Sequence, residues 1–211
     1  MYLSRIVLDL RHPSVRQALH DCNDMHRNLM QGFAGVQEAV CARNSASVLY
    51  RLIEKREEVS LLVSSDIAPE RRILTQRGYL LSPDSPKDVS ALESVFTVGR
   101  ELRFELQASP CKKIAGDAKN SRRVYLREEK QRMEWLIRKA DQCGFDVLEA
   151  LEGGKPASIN GMKGGMRIHF DAVQFTGALR IKNSECFWQA YRTGIGPGKA
   201  YGLGMLTVAS I

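Results

Sequence analysis

An α+β fold built from two similar tandem units is what this 211-residue sequence predicts, on three observations. The order strand, helix, two strands, weaker helix, strand can be written twice along the chain. A stretch rich in Ser, Pro and Asp, SPDSPKDVSALES at residues 82–94, separates the two copies and has the composition of a linker. The charge is divided as well. The whole net charge of +7 falls on residues 96–211, which hold 19 Lys/Arg against 12 Asp/Glu, while residues 1–95 carry 12 of each sign.

In the first copy, residues 2–10 alternate as a β-strand does. From Ser14 to Phe33 the apolar positions Val15, Leu19, Cys22, Met25, Leu29 and Phe33 recur every three or four residues, which predicts one helix with Ser14 as its N-cap. Ser47–Ile53 and Val59–Ser64 read as a strand pair across the charged turn EKREE. Pro69–Gln76 has the pattern of a short helix and Gly78–Leu81 that of an edge strand.

The second copy opens with Thr97–Ala108, whose alternation of polar and apolar residues marks a half-buried strand. Arg127–Cys143 is helical, with Met133, Leu136, Ile137 and Ala140 as its apolar stripe and Gly144 after it as a helix-ending residue. Strands follow at Asp146–Leu151, Arg167–Val173 and Gln174–Ile181. A short helix at Ser184–Arg192, a glycine loop and a terminal strand close the chain. Each copy thus has the β-α-β-β-α-β order of a ferredoxin-like unit, the small fold also used by RNA-recognition motifs. The expected division is 1–88 and 95–211.

Composition narrows the function. An apolar content of 44% with 26% charged residues is ordinary for a globular chain. The N-terminus lacks the apolar core of a signal peptide, and no apolar run is long enough to span a membrane. The chain is therefore expected in the cytoplasm. Five dispersed cysteines without a C-x-x-C pair read as free thiols, and the four histidines form no ligand cluster, so neither a metal nor a cofactor is expected. A basic half beside a neutral one points to a polyanion, most simply nucleic acid.

Four segments carry candidate chemistry. The C-terminal stretch TGIGPGKAYGLGMLTVAS sets Gly196, Gly198, Lys199, Tyr201 and Gly202 in one loop. Its spacing is not that of a dinucleotide or P-loop motif, and a strand follows where those motifs need a helix. It suits a loop lying along a nucleic-acid backbone, or else a plain surface loop. The run PCKKIAGDAKNSRRVYLREEK concentrates Lys112, Lys113, Lys119, Arg122 and Arg123, as a phosphate-binding loop or a solvated charged face. Lys155, Lys163 and Arg167 flank Gly-rich turns that suggest a hairpin tip. His26 has the side chain whose ordinary pKa suits proton transfer near neutral pH, and Arg27 beside it can attract a phosphate. A histidine in an amphipathic helix is also often structural.

Taken together, MYLSRIVLD, DMHRNL, LRFELQASPCKKI, RVYLREEKQRMEWLIRK and GIGPGKAYGLGMLTVA resemble, in the same order, the blocks of one family. That family is CasE, the CRISPR RNA-processing endoribonuclease of type I-E CRISPR–Cas systems and a subunit of the Cascade complex. The resemblance covers the first 35 residues and most of 97–211, and is weak between 36 and 95. It implies a tandem ferredoxin-like fold that binds the stem-loop of a CRISPR repeat transcript, cuts at its 3′ base and keeps the mature crRNA. It also implies a metal-independent reaction by 2′-hydroxyl attack, leaving a 2′,3′-cyclic phosphate and a 5′-hydroxyl.

In this resemblance His26 matches the catalytic histidine. Asn23 stands where family members carry a tyrosine, which leaves Asn23 a positioning role and makes Tyr201 a candidate substitute. Lys112, Lys113, Arg122, Arg123 and the 155–167 segment are expected to grip the repeat stem, and Lys199 with its glycines the backbone near the cut. The rival reading is a crRNA-binding subunit that does not cut. A base-stacking RNA-recognition domain fits less well, since aromatics make up 7% of the chain.

Overall fold

The computed structural model describes residues 1–36, 47–56, 58–70, 80–83, 86–114 and 122–211. The first unit contains β1 (Tyr2–Leu8), α1 (Pro13–His20), α2 (Cys22–Met30), a 3₁₀ turn (Gln31–Val36), β2 (Leu49–Lys55), β3 (Glu58–Ser65) and β4 (Leu80–Pro83). The short strand β5 (Lys87–Asp88) and helix α3 (Leu92–Val95) lead out of it. The second contains β6 (Glu101–Ala108), β7 (Cys111–Ile114), β8 (Arg122–Tyr125), α4 (Glu129–Gln142), β9 (Phe145–Lys163), β10 (Met166–Ile181), α5 (Ser184–Thr193), a 3₁₀ turn (Lys199–Tyr201) and β11 (Leu206–Ser210).

The sheets run β2-β3-β1-β4, with β5 also on β1, and β11-β6-β10-β9. Within each unit the first strand lies between the third and the fourth, and the second is at an edge. The pairings are antiparallel throughout. Two units with this order make a tandem ferredoxin-like fold. Each has its own core: Ile6, Leu8, Val15, Met25, Leu29, Phe33 and Leu61 in the first, and Phe104, Leu106, Trp135, Leu136, Phe175, Leu179 and Phe187 in the second.

The structure alters several sequence expectations. The single helix over Ser14–Phe33 is two helices, because Asp21 is extended (φ −130°, ψ 107°) and turns its carboxylate onto the backbone N–H groups of Asn23 and Asp24. An N-cap interaction there outcompetes helix continuation. His12, not Ser14, precedes the first helix, with Pro13 in its first turn. On α4 the buried side is Arg132, Trp135, Leu136 and Ala140, while Ile137 is exposed.

The predicted strands at 167–173 and 174–181 are one strand with a register shift between Ala172 and Gln174. Its partner runs on from Phe145 to Lys163, so 153–170 is the outer half of a long two-stranded arm, reversed at Gly164 and Gly165 (φ +54° and +78°). Along the outer half of β10, apolar Met166, Ile168, Phe170 and Ala172 alternate with Arg167, His169 and Asp171, and the apolar side is partly covered from Ile168 onward. Part of the basic loop is also ordered, with Lys112 opposite Val124 and Lys113 opposite Arg123.

The linker-like stretch is tied down where it is described. Lys87 and Asp88 pair with Leu3 and Tyr2, and Val89 N–H donates to the Met1 carbonyl at 2.9 Å. The predicted helix at 69–76 and the start of the strand at 78–81 lie mostly outside the described residues. The candidate Lys119 lies outside them as well.

Candidate functional site

The two units meet where α2, the outer arm and the glycine loop converge. Met25 and Leu29 are buried on one side of α2 and fix its rotation. Asn23 and His26, one turn apart, then face the seam. Asn23 is buried and its Nδ2 donates to the Met162 carbonyl of β9 at 2.9 Å. The half-buried His26 ring stands edge-on to Tyr201, with centroids 6.0 Å apart and planes at 75°. Phe170 of the arm also packs on Tyr201, with ring centroids 5.9 Å apart. Arg27 is exposed and sits 3.5 Å from Asp24.

Tyr201 is held there by the loop's backbone. Gly202 has φ +84°, and a Cβ at that position would stand 3.0 Å from the Tyr50 ring. The missing Cβ lets the loop pack closely against the Tyr50 ring, and the positive φ suits glycine. The Cβ directions of Gly196 and Gly198 likewise point at Trp135 and Leu203. Any ligand contact of these glycines is left to their backbone groups. Lys199 is half-buried, two residues before Tyr201. Burial pushes the Tyr50 hydroxyl well above the usual phenol range. Burial, with the Asp21 charge beside it, pushes the Cys22 thiol up to about 11.

A groove of about 560 Å³ runs beside this cluster, bordered by Tyr50, Arg51, Glu54, Asn160, Gln174 and Tyr201. Arg51 crosses from the first unit to the second, 2.7 Å from Glu105 and 3.1 Å from Thr207 Oγ1. Asp66 and Arg192 make a second crossing.

The remaining candidates occupy two basic elements. Lys163 and Arg167 are exposed on either side of the arm's turn, and Lys155 belongs to the same strand β9. Lys112, Lys113 and Arg123 are exposed on the β7–β8 hairpin, to which Arg122 also belongs. Lys113 and Arg123 are cross-strand neighbours, and like charges so placed disfavour each other. An anion between them relieves that repulsion.

Sequence reasoning passed over three features. Asp21 both caps α2 and reaches the arm, Gly161 gives the arm its close approach, and Arg132 with Glu152 anchors the basic hairpin. Asp21 carried a signal in the run HDCND, since Asp immediately before a helix restart is a capping pattern. Among the described residues no group of three or more His, Cys, Asp or Glu could hold a metal ion, and no helix is long and apolar enough to cross a membrane.

Comparison with known proteins agrees along the whole chain. The CRISPR associated protein family model matches residues 1–210. The CRISPR-associated endoribonuclease Cse3 of Thermus thermophilus is 29% identical over 99% of this chain and 100% of its own length. The CRISPR system Cascade subunit CasE of Escherichia coli is 31% identical across 57% of this chain and 63% of its own. A solved structure of the endoribonuclease Cse3 bound to a 19-nucleotide RNA superposes with a TM-score of 0.84 at 28% identity, covering 99% of this chain and 100% of that one. Sequence blocks, strand order and full-length similarity converge, and the chain belongs to the CRISPR-associated protein family, alongside the CasE (Cse3) endoribonucleases.

Proposed function

We propose that this protein is a CRISPR RNA-processing endoribonuclease that cuts repeat stem-loops without a metal and stays on its product within a Cascade complex in the cytoplasm. The observation that supports it most directly is His26, set at the seam of the two units against Tyr201 and flanked by the arm. Its ring is half-buried, packed against Tyr201 at the junction of the two units.

The chemistry asked of it is modest. The ribose 2′-oxygen upstream of the cut forms a bond to phosphorus as the phosphorus–O5′ bond breaks. The 2′-hydroxyl loses its proton and the departing O5′ gains one. His26 serves as a proton donor or acceptor at one of these oxygens. Arg27, next to it in sequence, and Lys199, two residues before its neighbour Tyr201, oppose the charge of the pentavalent phosphorane. The products are a 2′,3′-cyclic phosphate and a 5′-hydroxyl.

Lys112, Lys113, Arg122 and Arg123 on the hairpin, with Lys155, Lys163 and Arg167 on the arm, are assigned to the phosphates of the repeat stem. Lys119 is assigned with them from the sequence. A-form RNA hides its base edges in a deep, narrow groove, which favours such backbone contacts. The backbone of Gly196, Gly198 and Gly202 is assigned to the strand near the cut. We divide the chain functionally at 1–88, which carries the catalytic helix, and 95–211, which carries the grip.

The deciding experiment is cleavage of the cognate repeat RNA in EDTA by wild type and His26→Ala, with an RNA lacking the 2′-hydroxyl at the cut as control. Cutting in EDTA by wild type, lost in the variant and on the deoxy substrate, is expected. Tight binding without any cutting by the wild type overturns the reading in favour of a crRNA-holding subunit.

A further inference from the structure

The outer part of β9 docks on the first turn of α2, the helix that carries His26. Asp21 holds both sides of this joint. Its Oδ1 accepts from the N–H groups of Asn23 (2.8 Å) and Asp24 (3.3 Å), and its Oδ2 accepts from the Met162 N–H at 3.1 Å. Asn23 completes the joint by donating to the Met162 carbonyl at 2.9 Å.

Both backbone groups of one arm residue are thus held by two side chains at the start of the catalytic helix. β9 is an edge strand, so these groups point away from its partner and are free to be used this way. Gly161 permits the approach, since a Cβ there would stand 2.6 Å from Asp21 Oδ1 and 2.8 Å from Cys22 Sγ. Lys163 is the next residue after Met162, and Arg167 is its ladder partner, so the clamp grips the arm beside its cationic tip.

We infer that Asp21 and Asn23 are positioning residues that lock the RNA-gripping arm to the catalytic helix, so that the seating of RNA on the arm sets the place of His26. This rests on the endoribonuclease reading of the site. Asn23 acts by position, because an amide hydrogen-bonds but does not exchange a proton near neutral pH. A misplacement of about 1 Å in a reacting group can cost on the order of a hundredfold in rate. The clamp is therefore a determinant of cutting and only a minor one of binding.

The test compares full-length wild type, Asp21→Ser, Asn23→Ala and Gly161→Ala. Asp21→Ser retains a capping oxygen for α2 but is too short to reach Met162, which separates the cap from the clamp. Single-turnover cleavage of repeat stem-loop RNA is measured beside the Kd for the 2′-deoxy analogue. Each variant is expected to cut roughly tenfold to a hundredfold more slowly, with a Kd within about threefold of wild type.

The residual cutting should keep the wild-type pH profile, which a structural collapse around His26 would not preserve. The Cys22 thiol reports on the arm, becoming reactive to a thiol reagent in Gly161→Ala while staying protected in wild type. Unchanged cutting by Asn23→Ala overturns the clamp, as does unchanged cutting by a Gly161→Ala protein whose Cys22 has become reactive. A Kd that rises in step with the rate loss also overturns it, leaving the arm as a grip alone. If wild type itself does not cut, or His26→Ala cuts as well as wild type, the endoribonuclease reading fails, which is a different result.

Discussion

His26 and Tyr201 come from opposite halves of the chain and meet edge to face, 6.0 Å between ring centroids. Aromatic contacts of this kind contribute about 0.5–1.5 kcal/mol beyond simple burial and favour an edge-to-face arrangement of the rings. Tyr201→Phe keeps the ring and is expected to cut within about threefold of wild type, whereas Tyr201→Leu is expected to lose roughly tenfold. Single-turnover rates on repeat RNA check this. A Tyr201→Phe loss as deep as that of His26→Ala would assign a proton to the phenol.

The basic hairpin should behave as a grip. Lys113→Ala and Arg123→Ala are each expected to weaken RNA binding and to lower the slope of log K against log salt by about 0.7–0.9 for each phosphate that is no longer neutralised. Cutting at saturating protein should stay unchanged. Filter binding over a salt series, paired with single-turnover rates, separates this from His26→Ala, where the rate is expected to fall by about 10²–10⁴.

Asp66 and Arg192 join the two units through paired bonds of 3.1 and 2.9 Å. Burial alone would raise the Asp66 carboxyl, but hydrogen bonds from Arg192 and Ser47 outweigh it and hold it below the usual range. A depressed folded pKa gives stability that is present above the unfolded carboxylate pKa, about 3.9, and is lost as pH falls through the folded value. Asp66→Asn is therefore expected to lower stability by about 1 kcal/mol or less at neutral pH. The gap from wild type should close as the pH is taken below about 4. Thermal melts at several pH values test both the size and the sign.

Arg132 and Glu152 are the more buried ion pair, with side chains 10% and 9% exposed and contacts of 2.7 and 2.8 Å. Arg132 also donates to the carbonyls of Leu126 and Arg127 and lies over the Tyr125 ring, so it fastens the exit of the β7–β8 hairpin to α4 and β9. Removing one partner leaves a buried charge uncompensated. Glu152→Leu or Arg132→Met is expected to cost about 3–5 kcal/mol, and the double variant Arg132→Met/Glu152→Leu clearly less than the sum. Urea denaturation of wild type, the two single variants and the double variant gives the coupling energy directly.

Much of the fold was legible in the sequence because its signals are local. β6 alternates so regularly that Leu102, Phe104, Leu106 and Ala108 could only face one core, and they do. The break at Asp21 was hidden, since the apolar spacing runs through it and only the capping geometry shows the chain turning. The length of the outer arm was hidden for another reason: Gly153, Gly154 and Pro156 interrupt the strand pattern, yet β9 runs through them.

The sequence by itself determined the two-unit α+β order, the basic second half, His26 as the proton carrier to test and the family blocks around them. These follow from periodicity, charge and short motifs, which need no knowledge of what lies opposite. Only the tertiary structure decided that Tyr201 faces His26, that Asn23 and Asp21 hold Met162, and that Gly161 and Gly202 are glycines to allow close packing. Those relations join residues more than a hundred positions apart, and no local propensity encodes which side chain a distant backbone group will meet.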